Sequence, residues 1–490
     1  MKTWILNPKA ITMGQLYGEF DENTHEWTDG ILCILYRAAV KEFGEFQRTD
    51  RNWVIFDGPV DALWIESMNT VLDDNRKLCL VSGEIIAMSP YMNMCFEVED
   101  LAVASPATVS RVGTIFMEPE KVVGTDSQLE TWLLKLNPVI QPYREKVGAL
   151  LSKLCDPLIE TVRRTLREYV PTVDNNLMDS TLRVLSQFWT QFVPVDGVYE
   201  VPEEKAEALP KIIEKVVIFA LVWGIGASTD TSSRKRYDLK LRELAAGAGI
   251  DSMLPASGLV YDFAVDIDGN GWTPWMQTIP EFKLSAKTAY SDIIVPTMDS
   301  IRYMWVLEQL VQHNYHVLCV GPTGTGKTLS VADKLMNGMP ENFSPVFVGF
   351  SAQTSANQTQ DLLDAKLDKR RKGIYAPPPG KKYTIFVDDV NMPQREEYGA
   401  QPPIEILRFW MGHGGWYDRK TFEFRNIIDI SFVGAMGPPG GGRQIVIPPH
   451  PASSRLIPPH PASPRLIPPH PASSRLIPPH PASSRLIPPH

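Results

Sequence analysis

Cysteine is scarce and dispersed: five in 490 residues, at Cys33, Cys79, Cys95, Cys155 and Cys319, with no C-x-x-C pair. That excludes a disulfide framework and a zinc knuckle, and it suits a reducing compartment. Long apolar runs are missing as well. The most apolar one, residues 216–225, is about half of what a bilayer span needs and reads as a buried helix. The N-terminus has no basic-then-apolar leader pattern. Positive charge is not in surplus either, with 48 Lys+Arg against 57 Asp+Glu and a formal net charge of -9. The expectation is a soluble, intracellular chain with neither nucleic acid nor membrane as partner.

Apolar residues make up 43% of the chain, enough for sizeable cores and against a collagen-like, mucin-like or wholly disordered polymer. Proline is the one excess, with 42, and 15 of them fall in residues 448–490. There a unit P-P-H-P-A-S-S-R-L-I runs four times and begins a fifth, with Pro464 the sole deviation. The unit offers too little apolar surface to offset ordering, so residues 446–490 are expected to be a disordered tail; a proline-rich ligand is the alternative reading. Its charges are Arg455, Arg465, Arg475 and Arg485, which leaves residues 1–447 at -13.

Ahead of the tail, residues 1–120 and 286–445 alternate short apolar runs with helical patterns, as an α/β fold does, while residues 121–285 read as mainly helical lid and connector. In the first stretch Trp53-Val54-Ile55-Phe56 ends at Asp57-Gly58-Pro59, the pattern of a buried parallel strand. A helix pattern with Leu63, Trp64, Met68, Val71 and Leu72 on one side follows, then Leu78-Cys79-Leu80-Val81 as another strand. Ser105-Pro106 has the form of an N-cap followed by proline at the first helical position. Three signals carry little: Asp266-Ile267-Asp268-Gly269 has the wrong glycine and end position for a calcium loop and reads as a turn; the basic run Lys369-Arg370-Arg371-Lys372 before Gly373 reads as a capped helix end; and His25, His313, His316 and His413 show no metal spacing.

The strongest chemical signal is Gly321-Pro322-Thr323-Gly324-Thr325-Gly326-Lys327-Thr328, a complete G-x-x-x-x-G-K-[ST] loop (Walker A) between an apolar strand, Val317-Leu318-Cys319-Val320, and a helical stretch. Glycines let successive N–H groups face a polyphosphate, the helix N-terminus adds positive potential, Lys327 would reach the β- and γ-phosphates, and Thr328 would ligate Mg²⁺. Sixty residues on, Tyr383-Thr384-Ile385-Phe386-Val387-Asp388-Asp389 supplies the strand-end carboxylate such a site requires. Asp388 would hold Mg²⁺. Asp389 stands where a water-activating glutamate is usual, and being one methylene shorter it would be a weak base. The ligands expected from the motif are a nucleoside polyphosphate and Mg²⁺. Asp57 closes a similar strand without a P-loop before it, so it would bear on a metal only in an intact module with that loop upstream.

These strings resemble a known family. Residues 6–118 are similar to the second AAA+ module of axonemal dynein heavy chains, the inner-arm group above all, through Leu6-Asn7-Pro8-Lys9-Ala10-Ile11-Thr12-Met13-Gly14-Gln15-Leu16-Tyr17-Gly18, Phe56-Asp57-Gly58-Pro59-Val60-Asp61-Ala62-Leu63-Trp64-Ile65-Glu66 and Ala104-Ser105-Pro106-Ala107-Thr108-Val109-Ser110-Arg111. Residues 290–443 resemble the third, through the P-loop, Phe350-Ser351-Ala352-Gln353-Thr354-Ser355-Ala356-Asn357-Gln358-Thr359-Gln360, the Asp388-Asp389 strand end with Asn391-Met392-Pro393, and Gly434-Ala435-Met436-Gly437-Pro438-Pro439-Gly440-Gly441-Gly442-Arg443. The resemblance implies two incomplete P-loop NTPase modules of an ATP-driven microtubule motor, located in cytoplasm and cytoskeleton, in the axoneme of cilia and flagella. It makes the expected cofactors ATP and Mg²⁺, and its partners would be other dynein AAA+ modules, dynein intermediate and light chains, and microtubules. It also implies that Arg111 is a trans arginine finger for the preceding module's site, and that Gly437 replaces a sensor asparagine. With the main hydrolytic module, the third module's lid, the stalk and the linker outside the resemblance, the expected function is Mg·ATP binding with weak or no hydrolysis. The alternatives are a non-motile regulatory fragment or an unstable truncated product, the repeat marking a non-native junction.

Overall fold

The computed structural model describes residues 1–45, 49–118, 124–190, 207–269, 271–282, 293–440 and 443–444. The expected tail therefore lies outside the described residues.

The N-terminal part is a three-stranded parallel sheet, β1 (Lys2–Leu6), β2 (Asn52–Asp57) and β3 (Met92–Glu97), with β2 in the centre. Parallel neighbours require a crossover, and helix α1 (Ile31–Gly44) supplies the one between β1 and β2. Its apolar stripe (Ile31, Leu32, Leu35, Tyr36, Ala39) packs with Val54, Phe56 and Trp64 into one core. Helix α2 (Pro106–Arg111) follows β3, and the Ser105 hydroxyl accepts the Thr108 N–H with proline in the first turn, as the sequence indicates.

Two local expectations change. The stretch after Asp57 is not one helix but two short ones, Ala62–Glu66 and Asn69–Leu72. The helix is interrupted at Ser67, and Leu63 is exposed while Trp64, Met68 and Val71 are buried. Only Lys77–Cys79 of the next apolar run is strand, in a small antiparallel hairpin with Ile85–Ala87, so Val81 is exposed rather than in the sheet.

Among the described residues, the helices α3 (Arg144–Thr165), α4 (Asp174–Trp189), α5 (Leu209–Gly224) and α6 (Arg234–Ala248), with the shorter Thr125–Leu133, gather around a single apolar cluster in the middle of the chain. From Val216 to Gly224 helix α5 is buried on every face by its neighbours, while Lys211, Glu214 and Lys215 keep its first turns partly polar. Among the described residues, no helix is long and apolar enough to cross a membrane. The Asp266–Gly269 stretch is the turn of a hairpin, its Asp266 carboxylate accepting the Gly269 N–H at 2.9 Å.

Helix α7 (Met298–Gln312) leads into a second parallel sheet of β4 (Val317–Val320), β5 (Phe343–Gly349), β6 (Lys382–Asp388) and β7 (Ile430–Met436), in the order β4-β7-β6-β5. Helix α8 (Lys327–Asn337) crosses from β4 to β5, and α9 (Pro402–His413) lies between β6 and β7. This is the α/β, parallel-sheet architecture expected of the chain. The basic run is corrected: Asp368–Arg371 is an exposed strand paired with Ile374–Ala376, not a helix end. Gly373, at φ +74°, supplies the left-handed residue either motif needs, and the neighbouring Phe424–Ile427 strand decides for the hairpin.

Helices α4 and α5 approach closely at Gly224, where an added Cβ would lie 2.3 Å from Thr181 Oγ1 and 2.4 Å from its Cα. Gly224→Ala should therefore destabilise the chain by about 2 kcal/mol or more, despite alanine's better helix propensity. Urea unfolding of the full chain would reveal it as a lowered midpoint.

Candidate functional site

The C-terminal ends of parallel strands share one edge, which is where α/β sheets gather ligand-binding loops. On the second sheet that edge carries 321–328 after β4, Asp388 at the end of β6 and Gly437 after β7. Gly324 (φ +81°) and Gly326 (φ +75°) let the loop curl before α8, and an added Cβ at Gly324 would meet open space. Lys327 turns back onto the loop, its Nζ donating to the carbonyls of Gly321 (2.7 Å) and Pro322 (2.6 Å). Thr328 Oγ1 donates to Asp388 Oδ1 at 3.1 Å, bringing together two residues sixty positions apart.

Asp389 departs from ordinary backbone geometry, with φ +52°, a conformation that costs free energy and gathers at functional sites. Its N–H donates to Asp388 Oδ1 (3.0 Å) and its own Oδ1 accepts from Arg443 at 3.1 Å. Two carboxylates and two cations thus meet around the loop. Burial lowers the proton affinity of the Lys327 ammonium and the Arg443 charge adds to this, against the opposing pull of Asp388 and Asp389. Buried Asn391 donates to the Gly437 carbonyl (2.9 Å), linking the segment after β6 to the one after β7.

A cavity of about 830 Å³ adjoins the loop, of a size that accepts a nucleotide. Gly321, Thr325 and Lys327 line one part of it, Arg183 and Arg234 of the helical region another, and Arg408 of α9 a third. The residues required for a magnesium nucleotide fit such a group: open glycine backbone, an ammonium on the loop, and a hydroxyl paired with a carboxylate.

The other expected residues lie elsewhere. Arg111 donates to Asp73 and to the Ala107 carbonyl (2.9 Å), both in its own part of the chain. Asp57 stands on the corresponding edge of the first sheet, where α9 reaches it. Arg408 donates to Asp57 Oδ1 (2.9 Å) and to the Asp57 carbonyl (2.7 Å), and His413 Nε2 lies 2.8 Å from Oδ2. Glu405 ties Arg408 (3.0 Å) to Asn7 (2.8 Å), and Tyr417 donates to the Ile5 carbonyl at 2.8 Å. Nothing in the sequence pointed to Arg408 or His413 as partners of a residue more than 350 positions away. Arg443 was visible as part of a glycine-rich string, with no sign of where its charge would fall.

A strand-loop-helix of this form beside a strand-end aspartate defines a P-loop α/β protein. Residues 282–449 match the family described as "P-loop containing dynein motor region", and residues 147–277 match "Dynein heavy chain AAA lid domain". The chain is 49% identical over 462 residues to mouse (Mus musculus) dynein axonemal heavy chain 1, 45% over 464 to mouse dynein axonemal heavy chain 12 and 42% over 466 to mouse dynein axonemal heavy chain 3. Those alignments cover 91%, 90% and 90% of the chain but 11%, 14% and 11% of the relatives. The chain belongs to the axonemal dynein heavy chains, and spans roughly a tenth of the length of the curated relatives it matches.

Burial would raise the Asp57 carboxyl, yet the His413 hydrogen bond and the Arg408 charge overcome it and hold it below its ordinary 3.8. Asp57→Ala leaves Arg408 and His413 without that acceptor and should cost about 3 kcal/mol at neutral pH. A folded-state value below the unfolded one stabilises fully above pH 3.8 and is lost as pH falls through the lowered value. Denaturant titrations of wild type and D57A should therefore converge only below that pH; a constant difference down to acid would contradict the assignment.

Proposed function

We propose that the chain is a Mg·ATP-binding part of an axonemal dynein heavy chain, with residues 1–120 forming part of one AAA+ large subdomain, 121–285 its lid and connector, and 286–445 part of the next module. The observation that carries this is the Thr328–Asp388 contact at the mouth of a complete P-loop. The loop's backbone N–H groups and the N-terminus of α8 hold the polyphosphate, and Lys327 exchanges its loop carbonyls for the β- and γ-phosphates. Thr328 and Asp388 would hold Mg²⁺, which would supply charge to offset that of the phosphates.

Binding exceeds hydrolysis in this reading. Asp389 is short for a general base and is engaged by Arg443 in a left-handed backbone, while Gly437 offers no side chain to orient water. Nucleotide at this loop would then act as a regulator within a longer motor. Arg111 would serve a preceding module's phosphates, and microtubule-based motility in the axoneme, with intermediate and light chains, belongs to the larger protein.

The test is nucleotide binding. The full chain should bind a slowly hydrolysed ATP analogue with Mg²⁺ in equilibrium dialysis, and Lys327→Ala should lower affinity at least 100-fold while leaving the thermal midpoint nearly unchanged. Equal binding by both proteins would refute the P-loop assignment.

A further inference from the structure

The P-loop site has one charged group whose presence the loop motif does not require. Arg443 lies beyond β7, where Gly440 and Arg443 exchange backbone hydrogen bonds at 3.1 and 3.0 Å. Asn391 holds both flanks: its side-chain amide donates to the Gly437 and Gln444 carbonyls (2.9 and 3.1 Å), and its backbone carbonyl accepts the Gln444 N–H (2.9 Å). These contacts fix where the Arg443 side chain starts.

Gly437 fixes where it goes. An ideal Cβ at Gly437 would lie 3.0 Å from Arg443 Cδ and 3.1 Å from Nε, tighter than ordinary packing. The arginine stem runs through the space a side chain at 437 would fill and delivers the guanidinium to Asp389. The glycine thus admits a cation across the mouth of the loop. That cation is not fully used: Nε is buried without an acceptor among the described residues, and the one bond to Asp389 is a single N–H at 3.1 Å. A phosphate oxygen offers a guanidinium paired, charge-assisted hydrogen bonds, which are shorter and stronger.

We propose that Arg443 is a specificity-determining residue of the P-loop site, held by Asp389 when no triphosphate is bound and moving to the terminal phosphate when one is, so that the site distinguishes a nucleoside triphosphate from a diphosphate in cis. This rests on the reading that the loop binds magnesium nucleotide. Lys327 serves the β-phosphate of either ligand, whereas Arg443 gains an acceptor only from the third phosphate.

Dialysis of the full chain against Mg·ATPγS and Mg·ADP tests it. Arg443→Gln should weaken ATPγS binding about 10- to 100-fold, the worth of charge-assisted hydrogen bonds, and leave ADP within about twofold. Arg443→Lys should recover part of the loss. Gly437→Ala, which crowds the arginine stem without touching its charge, should lower the same ATPγS-to-ADP ratio. A ratio unchanged in Arg443→Gln and Gly437→Ala, or equal weakening of both nucleotides, overturns the proposal while wild-type binding leaves the P-loop reading intact. Wild type that binds neither nucleotide overturns both. Should Arg443→Gln unfold, shown by circular dichroism, Gly437→Ala and Arg443→Lys decide the question by the same ratio.

Discussion

The structure depends on one constraint: the strands of each main sheet run parallel. A parallel ladder turns every strand in the same direction, so all the chain's exits from a sheet fall on a single edge. The P-loop, Asp388 and Gly437 become neighbours for that reason alone, although more than a hundred residues separate the first from the last. Asn7, Asp57 and Glu97 share the corresponding edge of the first sheet. Chemistry collects where the topology delivers chain ends, and the strands behind it, Val-, Ile- and Phe-rich, hold the spacing.

Electrostatics then decides how each edge is populated. At the P-loop two carboxylates face two cations, and each carboxylate has an identified partner: Thr328 on Asp388, Arg443 on Asp389. On the first sheet a buried carboxylate would be costly without compensation, and Arg408 and His413 of α9 supply it. Helix α9 also lines the cavity beside the P-loop, so a single helix touches both edges. An acidic strand end in one part of the chain and the P-loop in the other thus share a structural element.

The P-loop and the strand-end aspartate could be read directly, because both are local: a glycine pattern sets backbone conformation and an apolar run ending in aspartate sets a strand terminus. That Thr328 and Asp388 would meet follows from these two facts and a parallel sheet. Local patterns failed where two structures satisfy the same residues. Gly373 fits a helix cap as well as a hairpin turn, and the choice came from a strand fifty residues away. The stripe Leu63, Trp64, Met68, Val71 and Leu72 fits one amphipathic helix, whereas the chain forms two short helices there and leaves Leu63 exposed.

By itself the sequence determined the architecture class and the position of the glycine loop and the strand-end carboxylate, since hydrophobic period, glycine spacing and strand-end charge act within a few residues and need no distant partner. Only the tertiary structure decided which charges face one another. Arg408 and His413 find Asp57 across some 350 positions, and Arg443 finds Asp389 through space that Gly437 leaves open. Such pairings depend on distances set by packing whole elements together, and a linear string of residues carries no measure of them.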